Sequence, residues 1–148
     1  TFFIGATTPC YDKEKEVDEI FPTEHITEEL VLETAKSFIG KQEQVPPMFS
    51  AVKVDGKRLY KLARIGEEIE LKARPIEILE FEITRCKLPL VDFRIACTKG
   101  TYIRSIARDF GLALNSGAYL DALCRTKIGH FSIEDAKTPE EFITENPY

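Results

Sequence analysis

Arg104 stands where local helix rules would put an acid. In Cys97-Thr-Lys-Gly-Thr-Tyr-Ile-Arg-Ser-Ile-Ala-Arg-Asp-Phe110 an alternating run reads as a strand, Gly100 as a turn and Thr101 as the N-cap of a helix. Arg104 is then the third helical residue, a position that a capping box fills with Glu or Gln. Its charge also faces the positive end of the helix dipole, at a cost of about 0.3–1 kcal/mol. Local rules are often broken at functional sites, so an anion is expected for Arg104 to serve. A guanidinium stays charged and can hold a carboxylate or a phosphate through two parallel hydrogen bonds. Arg108 lies one turn on, at the edge of the same stripe, so both can face one cleft. The plainer alternative is a surface cation paired with Asp109 or Asp121.

Charge distribution leaves two readings open. The 148-residue chain carries a net charge of −5, which argues against a generic nucleic-acid binder. Residues 1–36 hold nine acids against three lysines, whereas residues 51–75 hold seven bases against four acids. Residues 99–131 hold five bases against two acids. Two basic segments in an acidic chain can form one local anion-binding surface, or simply two solvated faces. The four cysteines have no CxxC spacing and no paired histidines beside them, so no metal site is expected. Reduced thiols in a cytoplasm fit that pattern. No run reaches the ~18 apolar residues of a membrane span, and no basic-then-apolar leader precedes the first strand. Thr1-Phe-Phe-Ile4 reads as the middle of a strand, from which an upstream segment is expected.

The elements that must position these residues are legible by period. Thr1–Thr7 reads as a strand, followed by a polar loop through Pro22. Thr27 caps a helix with Leu30, Val31, Thr34, Ala35 and Phe38 on one face, ended by Gly40. Val45-Pro-Pro47 enforces an extended stretch. Between Met48 and Arg74, Ser50–Val54 reads as a short strand, Val54-Asp-Gly-Lys57 as a turn, and Leu59–Ile65 as a short helix. Few large apolar residues anchor this segment, so it is expected to project from the body. Ile76, Ile78, Phe81 and Ile83 form a strand with a bulge near Leu79. Lys87-Leu-Pro-Leu90 links it to a cleanly alternating strand, Val91–Cys97. The helix from Thr101 buries Ile103, Ile106, Ala107, Phe110 and Leu114. Ala118–Arg125 and Lys127–Ile133 read as extended, and Thr138-Pro-Glu-Glu141 as a capping box. The expected class is α+β, a mostly antiparallel mixed sheet with helices packed on it.

Four stretches together resemble the TruB-type pseudouridine synthases. Lys99-Gly-Thr-Tyr-Ile-Arg104 is similar to the family's K-G-T-Y-I-R element. Gln44-Val-Pro-Pro-Met-Phe-Ser-Ala-Val-Lys53, with Gly56-Lys-Arg-Leu-Tyr60, Ala63-Arg64, Gly66 and Ala73-Arg-Pro75 after it, resembles a second. Leu123-Cys-Arg125 resembles the leucine-plus-arginine strand, and Gly5-Ala-Thr-Thr-Pro-Cys-Tyr-Asp12 is a looser G-x-x-T-x-T-x-D element. The last departs from the family at Cys10 and Lys15, where threonine and glycine are typical. The resemblance runs from about position 4 to 134, in the family's order.

The resemblance implies isomerisation of a uridine in the T loop of tRNA, at position 55 there, to pseudouridine without a cofactor. It implies that Arg104 pairs with the nucleophilic aspartate, that Leu123 lines the uracil pocket, and that Tyr102 lines it too or is an ordinary buried aromatic. Lys53, Lys57, Arg58, Tyr60 and Arg64 fall in a projecting RNA-gripping thumb, residues 48–75. Lys99 and Arg125 join the RNA-binding set. Such a grip through charge and aromatic faces makes binding steeply salt-dependent.

The family's nucleophile lies in a G-x-L-D-P-x-A-T-G element, and none of the seven aspartates of this sequence has that context. Residues 1–148 are therefore expected to be part of a catalytic domain, without a PUA-type domain, and inactive alone. Its implied partners are the tRNA T stem-loop and the upstream catalytic segment of the same protein, the intact enzyme being a monomer in the cytoplasm with neither membrane nor metal involved. The alternatives are a non-catalytic RNA-binding module and a guide-RNA-directed relative that acts on ribosomal RNA.

Overall fold

The structure, a computed structural model, describes residues 1–50, 53–54, 57–58 and 71–146. Its centre is a five-stranded antiparallel sheet in the order β4-β7-β8-β1-β9, made of β1 (Phe2–Ile4), β4 (Gly40–Gln44), β7 (Arg74–Lys87), β8 (Leu90–Cys97) and β9 (Ala118–Leu120). Among the described residues all pairs of named strands are antiparallel, and the one parallel contact is an isolated bridge between Asp12 and Leu120. Helices α1 (Glu28–Ser37) and α2 (Ile103–Ala113) cover one face, and α3 (Pro139–Glu145) follows near the end.

The apolar period decides which face is covered. Phe2, Ile4, Ile76, Ile78, Phe81 and Val91 turn inward from the sheet. Val31 and Ala35 of α1 and Ile106, Ala107 and Phe110 of α2 meet them. Ile78 and Phe81 are three residues apart, which strict alternation would place on opposite faces. A register irregularity between Ile78 and Glu80 absorbs the extra residue and leaves Leu79 57% exposed. A second irregularity lies between Ile83 and Arg85. The rings of Phe2, Phe81 and Phe110 then gather with centroids 5.4–6.3 Å apart. Complete burial contributes about 1.5–3 kcal/mol for each such side chain.

Several local expectations hold. Thr27 Oγ1 accepts from the Leu30 N–H at 3.1 Å, and Thr138 and Glu141 form the capping box. Lys87 pairs with Leu90, giving the hairpin between β7 and β8. Others are corrected. Thr1–Thr7 is not one strand: Gly5, at φ +100°, breaks it into β1 and β2 (Ala6–Thr7). The loop through Pro22 contains β3 (Glu19–Ile20), which pairs with β2. Gly40, at φ +116°, opens β4 opposite Ile78 rather than merely stopping α1. Lys127–Ile133 folds back as β10 (Lys127–Ile128) and β11 (Phe131–Ser132), because Gly129 takes φ +58°. Within residues 48–75, β5 (Lys53–Val54) pairs antiparallel with β6 (Lys57–Arg58). The expected Leu59–Ile65 helix, Tyr60 and Arg64 lie outside the described residues. No helix among the described residues is long and apolar enough to cross a membrane.

Candidate active site

The start of α2 differs from its sequence pattern in one respect that matters. Tyr102, not Thr101, is the N-cap, and it makes no side-chain cap hydrogen bond. Arg104 is thus the second helical residue. The backbone of the N-cap residue is instead tied from across the fold. Gln44, 3% exposed at the end of β4, accepts from the Tyr102 N–H at 2.9 Å and donates Nε2 to the Tyr102 carbonyl at 3.1 Å. The next residue, Val45, is strapped to the same helix, its carbonyl accepting from Ser105 Oγ at 2.8 Å and from Arg108 Nη2 at 3.3 Å. The apolar stripe of α2 buries Ile106, Ala107 and Phe110, which leaves Arg104 and Arg108 at its margin.

Those two arginines reach toward one loop. Arg104 Nη1 lies 3.6 Å from Asp12 Oδ2, and its Nη2 donates to the Phe49 carbonyl at 2.8 Å. The first distance exceeds the 2.7–2.9 Å of a charge-assisted hydrogen bond, so this is an ion pair with room between the groups. The Arg108 guanidinium sits 5.0 Å from the Tyr11 ring centroid and bonds Asp109 at 2.7 Å. Burial works against the Arg108 charge, but hydrogen bonds to Asp109 and Tyr11 outweigh it and raise its pKa. Asp109 is thus taken by Arg108, and Asp121 lies 3.5 Å from Lys13. The plain surface pairing for Arg104 is therefore not the one found.

The Asp12 loop is held firmly. The Leu120 N–H donates to the Tyr11 carbonyl at 2.8 Å, and the Lys13 N–H donates to the Leu120 carbonyl at 3.2 Å. Thr8 Oγ1 donates to the Asp12 carbonyl at 2.6 Å. Cys10, 2% exposed, places its Sγ 3.0 Å from Asp12 Oδ1, which also accepts from the Glu14 N–H at 3.0 Å. Tyr11, between them, is held at φ +66°. A bulky residue in the left-handed region costs energy, and such outliers cluster where a site is fixed by its surroundings.

A pocket of about 420 Å³ opens at this junction. Thr101, Tyr102 and Arg104 line one side, Leu120, Leu123 and Arg125 another, and Asp12 completes it. Its size falls within the ~300–1,000 Å³ of small-molecule sites. Four of the residues singled out by sequence thus meet in one pocket. Leu123 is 54% exposed, so it is no core leucine; it offers an apolar surface at the pocket. Tyr102 is partly buried, and Lys99 is exposed in the turn before α2. The side chains of Lys53, Lys57 and Arg58 lie outside the described structure. Sequence reasoning missed Asp12, Cys10, Tyr11 and Gln44. The first three close the G-x-x-T-like stretch and carried a usable signal, whereas Gln44 shows itself only through its cross-fold bonds. No group of three metal-ligating side chains occurs among the described residues.

A family profile described as TruB family pseudouridylate synthase (N terminal domain) matches residues 1–103. The tRNA pseudouridine synthase B of Flavobacterium johnsoniae is 60% identical over 136 residues, covering 92% of this chain and 59% of that protein. Its counterpart in Phocaeicola vulgatus is 56% identical over 142 residues, covering 96% and 60%. The chain therefore spans about three fifths of the length of these curated relatives. Among solved structures, a chain of a Cbf5-Nop10-Gar1 complex aligns over 65% of this chain and 24% of its own length, at 30% identity and a TM-score of 0.49.

Proposed function

This chain belongs to the TruB family of pseudouridylate synthases, and we propose that it forms the Arg104 side of the active site of a tRNA pseudouridine synthase. The substrate in this proposal is the uridine at position 55 in the T loop, and the reaction is an isomerisation without a cofactor. The bond between N1 and the sugar breaks, the uracil turns, and carbon 5 bonds the sugar. Carbon 5 loses a proton and N1 ends with one, so atoms and electrons balance within the nucleotide. The target must first leave its stack, which is how enzymes reach a base inside folded nucleic acid.

One observation supports the reading above all. Arg104 projects into a pocket with an acid already at 3.6 Å and one donor engaged by Phe49. A guanidinium has five N–H donors, so it can still fork onto a second carboxylate. In the proposed enzyme that carboxylate is the nucleophile, brought by a G-x-L-D-P-x-A-T-G element that residues 1–148 do not contain. Arg104 keeps it ionised and aimed, and Asp12, which lines the same pocket, steadies Arg104. Leu123 and Leu120 give the detached uracil an apolar wall, with Tyr102 beside it. Arg125 and Lys99, with the basic 48–75 thumb (Lys53, Lys57, Arg58, Tyr60 and Arg64), grip the tRNA backbone. Residues 1–148 are then part of a catalytic domain whose cellular place is the cytoplasm, where tRNA is modified.

Tritium release from tRNA carrying 5-tritiated uridine tests this. The complete gene product is expected to release tritium, and residues 1–148 alone are not. A complete gene product that releases none overturns the proposed function. Full-rate release by residues 1–148 alone would overturn the missing-nucleophile part.

A further inference from the structure

Cys10 is a buried thiol with three oxygens within reach, of which Thr8 Oγ1, at 3.9 Å, is the farthest, and its proton has a determinate destination. The Asp12 carbonyl, 3.4 Å from Sγ, already accepts the Thr8 hydroxyl at 2.6 Å. Asp12 Oδ1 is nearer, at 3.0 Å, and belongs to the carboxylate that faces Arg104. Hydrogen bonds to an ionised acceptor are the stronger kind, so the S–H points to the carboxylate. Burial and then the Asp12 hydrogen bond push the Cys10 thiol above its ordinary range, which keeps the donor proton in place at neutral pH. Oδ1 also takes the Glu14 N–H. With one oxygen held by two donors, the carboxylate cannot turn, and Oδ2 is the atom left facing Arg104.

We propose that Cys10 is a positioning residue, which through its S–H to Asp12 Oδ1 holds Oδ2 against Arg104 and so fixes the guanidinium in the pocket. The proposal rests on the pseudouridine synthase reading for its effect on turnover, but not for the hydrogen bond. Cys10 is 2% exposed and does not line the pocket, so it acts through Asp12.

Two variants of matched shape separate donation from packing. Thr and Val differ at Cβ by a hydroxyl against a methyl, so overpacking at this buried site affects Cys10→Thr and Cys10→Val alike. In the complete gene product, Cys10→Thr is expected to retain kcat within about twofold, and Cys10→Val to lose about tenfold in kcat with KM unchanged. If packing alone mattered, the apolar Val would serve at least as well as Thr. A second measurement needs no turnover. The infrared S–H stretch of Cys10, isolated as the wild type minus Cys10→Thr difference, is expected below the free-thiol position. It is expected to move toward that position in Asp12→Asn. Equal kcat for the Thr and Val variants overturns the proposal, as does a free-thiol band indifferent to Asp12→Asn. A complete gene product that forms no pseudouridine overturns the functional reading instead, and the S–H band then still decides the hydrogen bond.

Discussion

Replacing Gln44 by Glu turns a satisfied contact into a pH-dependent one. The amide does two opposite things within one peptide: its oxygen accepts from the Tyr102 N–H at 2.9 Å, and its nitrogen donates to the Tyr102 carbonyl at 3.1 Å. An ionised carboxylate can do only the first and sets a negative oxygen against the carbonyl. At 3% exposure water offers no relief. A protonated Glu has both an acceptor and an O–H donor, and so restores the pattern. The folded-state pKa of the introduced Glu is therefore raised above its unfolded value of about 4.3. A raised folded pKa means a stability contribution that is fully present below the unfolded pKa and lost as pH rises through the folded one. Keeping the proton on at pH 7.5 would cost at most about 4 kcal/mol, from ~1.36 kcal/mol for each of roughly three pH units. Arg104 and Arg108 on the same helix favour the ionised form, which brings the expected loss to about 2 kcal/mol. The assay is urea denaturation of the complete gene product and its Gln44→Glu variant at half-unit steps from pH 4.5 to 8. The difference is expected to close toward low pH and open toward high pH. A difference that does not change with pH, or no difference at pH 8, refutes the account of how α2 is tethered.

Two further outcomes follow from close contacts. At Gly111 an added Cβ would lie 2.3 Å from the backbone nitrogen of Ala118. Alanine's helix preference of about 1 kcal/mol cannot offset a clash with backbone, so Gly111→Ala should cost about 3 kcal/mol or more by thermal unfolding. The raised Cys10 thiol sets an alkaline limit: its contribution is complete below the ordinary value of 9.0 and is lost as pH rises toward the higher folded value. Thermal midpoints of the wild type should therefore fall more steeply above pH 9.0 than those of Cys10→Thr, and parallel curves would contradict this.

Much of the sheet and both large helices are legible because burial leaves a period. The alternation in Val91–Cys97 and the stripe Ile106, Ala107, Phe110 in α2 each match one covered face. Even the bulge at Leu79 is readable, since Ile78 and Phe81 could not otherwise share a side. What the sequence hides is whatever is settled between distant segments. Thr101 has the right chemistry for an N-cap, yet Gln44 satisfies Tyr102 instead, and Thr101 Oγ1 is buried without a partner among the described residues. Two-residue strands such as β2, β3, β10 and β11 are too short for a period to register, and only their turns betray them. At the site, the arginine announces itself by breaking a helix rule. Its acid does not, because an aspartate in a polar loop breaks none; Asp12 gains its meaning from the bridge to Leu120.

In the proposed enzyme Arg104 holds a carboxylate for chemistry rather than a phosphate for binding. Arg104→Lys tests it, because lysine keeps the charge and loses the fork. Single-turnover tritium release and tRNA Kd should be measured on the same preparation of the complete gene product. Turnover is expected to fall by about a hundredfold or more while Kd stays within about threefold, as for other groups that act at the reacting centre. Weakened tRNA binding with turnover intact would contradict it and would make Arg104 a phosphate contact.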